Sequence, residues 1–272
     1  MTDSSPSSEK SRGIGASLPK AADRLDGVAS DAAAAATEIE SALRAVGTPE
    51  RAEGEKAYLK SDLTFFGTTV WQIRAAVKDA SRGKALDHDA LVALAEALWS
   101  EPVHERRMAA VMLLDLHPKL LSAADLPLVE RLIRESRTWA YVDALAGDVA
   151  GSLLTADAKV EATLDRWATD PDFWVRRSSL LTELRPLRAG ADLGPFLRRA
   201  DAMLEEKEFF IRKAIGWVLR EVGKRRPGEV AKWLAPRTHR ASGVTMREAV
   251  RYLAPEDNER LMAAYREHRP AA

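Results

Sequence analysis

Four stretches of this chain carry one short pattern at nearly even intervals. ERRMAAVMLLDL at 105–116, VRRSSLLTEL at 175–184, IRKAIGWVLREV at 211–222 and MREAVRYLA at 246–254 each set a basic residue ahead of small and apolar positions. Arg107 and Arg177 stand 70 residues apart, Arg177 and Lys213 36, and Lys213 and Arg247 34, so the step is close to 35 with one member skipped. Such a period belongs to a two-helix unit that cannot bury its apolar stripe alone and must stack on its neighbours.

The residues between these marks agree. LVALAEALW, MAAVMLLDL, LVERLIRE and LLTEL keep apolar spacing near 3.6, and no stretch alternates long enough for a strand. With 15 Gly and 13 Pro in 272 residues, helix breakers are sparse. The expected fold class is therefore all-α: a HEAT-like helical repeat solenoid, an α-α superhelix whose equivalent helices line a concave groove. A residue type that recurs at one register becomes a row along that groove, and here the row is cationic. The pattern predicts a helix capped by Asp31 and ending at Gly47, then another opening at Thr48-Pro49-Glu50. Residues 1–28, rich in Ser and Gly, read as a disordered arm, leaving 29–272 as a single domain.

Composition closes several routes. The chain has no Cys, which excludes disulfides and thiolate chemistry. Its five His (His88, His104, His117, His239, His268) form no i, i+4 pair, so no metal site and no cofactor is expected. No apolar run reaches the ~20 residues of a membrane span, and the N-terminus lacks a signal-peptide core, which predicts a cytoplasmic monomer. Net charge is zero, but its distribution is uneven. Pro171–Ala272 holds 21 Lys and Arg against 14 Asp and Glu, and the first 170 residues hold 20 against 27. A basic half suits a phosphate-binding face, and helix solvation is the competing reading.

The skipped member of the row falls at Val142–Asp143, in TWAYVDALAGDVAG. An acid thus sits, within one residue, where its neighbours carry Arg or Lys. Packing alone gives no reason for it. In a groove that holds a polyanion, a lone carboxylate is costly unless it meets developing positive charge.

Several blocks carry a more specific likeness. KEFFIRKAIGWVLREVGKRRPGEV at 207–230, TWAYVD at 138–143, DFWVRR at 172–177 and KAYLKSDLTFFG at 56–67 occur in this order. Across roughly 35–265 the chain resembles the AlkD family of DNA glycosylases. The resemblance implies that Asp143 is the carboxylate beside the scissile glycosidic bond and that Arg177 holds the DNA near it. It implies that Trp139 and Trp217 flank the sugar and backbone of the lesion, with Tyr58 near the DNA. Trp174 reads as core. Ala140 and Tyr141 depart from the polar residues that relatives carry there. Lys213, Arg220, Arg247 and the run Lys224-Arg225-Arg226 are the expected DNA-binding cations.

These residue types suit one reaction. A purine alkylated at N3 or N7 is cationic and already a good leaving group. The enzyme need only stabilise charge building on the deoxyribose and place a water, which a carboxylate does. Indole faces favour the same cation, and an Arg fork suits phosphate. The expected partner is double-stranded DNA containing alkylated bases. The expected activity is a monofunctional glycosylase that leaves an abasic site. Two other readings stay open: an inactive repeat module that binds distorted or branched DNA, and a protein-interaction scaffold.

Overall fold

A computed structural model describes residues 21–83 and 86–268, with side chains from Asp26 onward. Every regular element among them is helical, apart from one isolated bridge between Thr64 and Val103. The first helices are α1 (Ala21–Val46), α2 (Pro49–Leu59), α3 (Val70–Ser81), α4 (His88–Trp99) and α5 (His104–Leu116). The middle holds α6 (Leu126–Ser136), α7 (Trp139–Ala144), α8 (Gly151–Ala156), α9 (Val160–Trp167) and α10 (Phe173–Leu181). The last third holds α11 (Leu184–Arg188), α12 (Gly194–Ala202), α13 (Phe209–Gly223), α14 (Pro227–Leu234), α15 (Gly243–Ala249) and α16 (Pro255–Glu267). The expected all-α repeat fold is what the chain adopts.

Two boundaries differ from the sequence reading. Asp31 does not cap α1, which already runs from Ala21 and carries Asp31 in its interior. Ala21–Val28, assigned to the arm, is therefore helical; residues 1–20 lie outside the described residues. The alanine-rich stretch has high helix propensity, and Ala32, Ala36, Ile39 and Leu43 bury one stripe of it. The break at Gly47 and the opening of α2 stand as expected, with Pro49 at the first turn after an extended Thr48.

Successive repeats stack through equivalent helices. α10 packs on α13 and α13 on α15, the last pair very closely: a Cβ at Gly216 would lie 2.7 Å from Glu248 Cβ and 2.9 Å from the Thr245 carbonyl. The apolar interior forms two clusters that meet along α10. Trp174 and Val175 belong to the N-terminal cluster, Leu180 and Leu181 to the C-terminal one, and Arg177 lies between them. Trp174 is core, as expected.

One buried carboxylate fixes the chain after α2. Glu105 is fully buried in α5, and its oxygens accept from the backbone N–H of Phe66 (3.0 and 2.9 Å), Gly67 (2.6 Å) and Thr68 (3.2 Å). The loop can approach this closely because Gly67 has φ +80°, and a Cβ there would lie 2.0 Å from the Thr48 carbonyl. Beside it, His104 stacks on Phe65 at 4.5 Å and shares a 2.7 Å hydrogen bond with the buried Tyr141 hydroxyl of α7. Burial pushes the His104 imidazole down to about 4, so the ring is neutral at pH 7.

Below pH 6.5 the unfolded chain takes up a proton at His104 that the folded state refuses until about pH 4. Folding stability attributable to this ring is therefore full above pH 6.5 and lost as pH falls toward 4. Wild type should lose about 3 kcal/mol relative to a His104→Phe variant between pH 7 and pH 4, read from urea unfolding at each pH. Parallel pH profiles for the two proteins contradict this account.

Candidate active site

The helix that carries Asp143 is short and well started. Thr138 is extended, and its side chain accepts from Ala140 N–H (3.4 Å), so the first turn opens at Trp139. Asp143 stands four residues on, over the same face as Trp139. Directly after α7 the backbone widens into a π-helical segment, Leu145–Ala150, before α8 resumes the α form. Insertions of this kind concentrate at functional positions.

Arg177 reaches Asp143 across one repeat. Its Nε donates to Oδ1 at 2.8 Å and its Nη2 to Oδ2 at 2.9 Å, a forked pair that holds both carboxylate oxygens in the guanidinium plane. The remaining arm, Nη1, donates to the Phe210 carbonyl at the start of α13 at 2.5 Å, and the guanidinium carbon sits 5.7 Å over the Phe210 ring. The Arg177 side chain is 3% exposed and Asp143 is 19% exposed, so the carboxylate alone presents an edge to solvent. Arg177 thus holds Asp143, and its geometry is not that of a surface phosphate contact.

Trp139 and Tyr58 meet edge to face at 6.0 Å, and both are exposed. A helix whose own residues are all unburied, α2, carries Tyr58 there, steadied from below by the Glu105 cage. Two pairs thus stand at α7, Tyr58 with Trp139 and Arg177 with Asp143, Trp139 and Asp143 sharing one face of the helix. Trp217 is half-buried on α13 against the C-terminal core.

The remaining cations behave differently from the row expected. Lys213 and Arg220 both reach Glu248, one on each oxygen. Arg247, the residue read as the next row member, is exposed beside them and lines a separate cavity with Arg212, Arg240 and Tyr265. Arg225 and Arg226 donate to backbone carbonyls of the preceding repeat, at Arg188, Leu187 and Ala191, and Lys224 pairs with Glu221. At the structural register the row therefore reads Arg107, Asp143, Arg177, Lys213, Glu248. This corrects the argument that packing gives no reason for Asp143: an ion pair with the next repeat supplies one. Phe210 and Glu248 were missed by the sequence reading. Glu248 follows Arg247 directly, and a spacing of 34 to 36 cannot choose between them.

The family model described as DNA alkylation repair enzyme matches residues 39–253. The chain belongs to that family. Its matched span contains Tyr58, Trp139, Asp143, Arg177, Lys213, Trp217, Arg220 and Arg247. Among solved structures, a protein of Enterococcus faecalis described as a predicted DNA alkylation repair enzyme shares the fold. It superposes with a TM-score of 0.68 at 24% identity, over 77% of this chain and 97% of that one. No curated protein matches the chain. Membership of the DNA alkylation repair family is what the helical repeat and the blocks around Asp143 have in common with these findings.

Removing one partner of a buried pair strands the other. Asp143→Asn and Arg177→Met should each destabilise the fold by about 3 kcal/mol, with the double variant recovering about 1–3 kcal/mol of the summed loss. Urea unfolding of all four proteins measures the coupling. Strict additivity would show that the pair is not formed in solution.

Proposed function

We propose that the protein is a DNA glycosylase that hydrolyses the N-glycosidic bond of N3- and N7-alkylated, cationic purines in duplex DNA. The observation that carries this reading is the Asp143 carboxylate, partly exposed beside Trp139 while a buried Arg177 fixes both its oxygens. The forked contact keeps the carboxylate oriented, with free lone pairs on its open edge. As the bond from C1′ to the purine stretches, positive charge moves from the base to the sugar. A fixed anion at that place lowers the barrier because no reorientation is needed when the charge arrives. Water adds to C1′ and gives a proton to solvent or to Asp143, the alkylpurine leaves neutral, and an abasic sugar remains.

Arg177 then acts as a positioning residue for Asp143. Trp139 and Tyr58, exposed and in contact, offer aromatic surface to the sugar, and Trp217 on α13 offers a second indole. Membership of the DNA alkylation repair family makes alkylated DNA the natural substrate for this chemistry.

The test is single-turnover release of 7-methylguanine and 3-methyladenine from a methylated duplex, at a temperature where each variant is folded by circular dichroism. Asp143→Asn should slow release at least tenfold, about 1.4 kcal/mol of barrier, with duplex affinity nearly unchanged. Neutral lesions such as uracil should not be released. Full activity in folded Asp143→Asn, or rapid uracil excision, contradicts the assignment. Duplex binding by wild type without any base release would favour a binding module instead.

A further inference from the structure

We propose that a cavity beside the Tyr58–Trp139 pair is an anion site that holds a phosphodiester of the DNA strand next to the nucleotide at Asp143. The proposal rests on the glycosylase reading for the identity of the polymer, and the site itself is argued from its own geometry.

The cavity encloses about 450 Å³ between the chain leaving α2 and the connection from α6 to α7. Lys60, Arg107 and Arg137 line it, together with Asp62 and Glu135. Glu135 is engaged elsewhere, accepting from Trp99 Nε1 at 2.7 Å and from Arg131 at 3.1 Å. The three cations are not engaged: among the described residues no ion pair or side-chain hydrogen bond joins Lys60, Arg107 or Arg137 to any acceptor. This sets them apart from the other row cations, which are committed to Asp143 and Glu248.

Arg107 is the deepest of them. Its Nε is shut off from solvent without any hydrogen-bond partner, while its guanidinium carbon lies 5.1 Å over the Trp99 ring. A buried charged donor without an acceptor is costly, and an anion beside the guanidinium would offset that cost through its charge. The indole fixes the guanidinium plane and leaves its outer edge for the ligand.

The backbone supplies an independent sign. Lys60 and Arg137, each with φ 49°, are the non-glycine residues of positive φ among the described residues, and both line this cavity. Both close a helix at the position where glycine is usual. Strained side chains at two separate helix ends, converging on one cavity, mark a site where those side chains are used. Leu59 and Thr138, also on its wall, are the immediate neighbours of Tyr58 and Trp139. A strand whose sugar lies against Trp139 and Asp143 therefore brings its adjoining phosphate to this opening.

Cations at helix C-termini also answer the negative ends of those helices. The test separates the two roles. A Lys60→Gly/Arg137→Gly variant relieves both strained positions, so it should fold with an unchanged or higher melting temperature. Binding to a short undamaged duplex is followed by fluorescence anisotropy over a salt series. The variant should bind about tenfold more weakly at low salt, and its log K against log[salt] should be shallower by about 0.9, one phosphate lost. Arg107→Gln should shift binding in the same direction. Unchanged affinity and slope in a folded variant, with wild type binding normally, overturns the site but leaves the glycosylase reading intact. Wild type that fails to bind duplex overturns both. Saturation of wild type by a deoxynucleoside monophosphate, lost in the variant while duplex binding is not, assigns the cavity to a free phosphate ester and overturns the backbone assignment.

Discussion

The structure depends on charged contacts made between residues one repeat apart. Glu96 meets Arg131, Glu130 meets Arg166, Asp143 meets Arg177, Asp165 meets Arg199 and Asp201 meets Arg237, at separations of 35, 36, 34, 34 and 36 residues. A solenoid permits this because each unit touches only its neighbours, so a side chain meets its equivalent one period later. Most of these pairs are partly exposed and worth little each. Their value is in register: a helix slipped by one residue would set Glu130 against Glu96 and Asp165 against Glu130. The order of charge is free to run either way: in these five the acid precedes its base, and in Arg134–Asp170 and Lys213–Glu248 the base comes first.

At Asp143 and Arg177 this general device becomes a special one. The pair spans the seam where two core clusters meet on α10, and there the guanidinium is buried with every arm occupied. The carboxylate keeps one edge open. A few residues on, the π-helical segment Leu145–Ala150 lets α8 continue against α11 from a rotated starting face. Below, Glu105 and His104 hold the approach: one gathers the backbone of Phe66, Gly67 and Thr68, and the other stays neutral against Tyr141. Neither touches the exposed aromatic pair, yet both decide where Tyr58 and Trp139 stand.

The same organisation explains why the Arg107 end of the row differs from the rest. Later cations answer carboxylates of neighbouring repeats, whereas Arg107 has Trp99 for a neighbour and no acceptor for its Nε. The next register position after Arg107 is Asp143, and Arg177 takes both its oxygens, so Arg107 is left without a counter-charge.

The sequence by itself determined the all-helical repeat, because the 35-residue step and the apolar spacing are local and additive. It also brought out Arg177 and Asp143 by their register in the repeat, and Trp139 and Tyr58 through the blocks that resemble the family. Only the tertiary structure decided what each charge faces. On a helix one residue is about 100° of rotation, so a spacing of 34 to 36 cannot choose between Arg247 and Glu248, and the structure places Glu248 on Lys213. Arg177, expected to hold DNA, is seen in the structure to hold Asp143, a contact the spacing did not show. The cavity of Lys60, Arg107 and Arg137 joins residues far apart in the chain, two of them in a backbone form that their own side chains disfavour. Local propensity argues against that form, and at Lys60 the hydrogen bonds that close α2 onto the Ala57 and Lys56 carbonyls hold it.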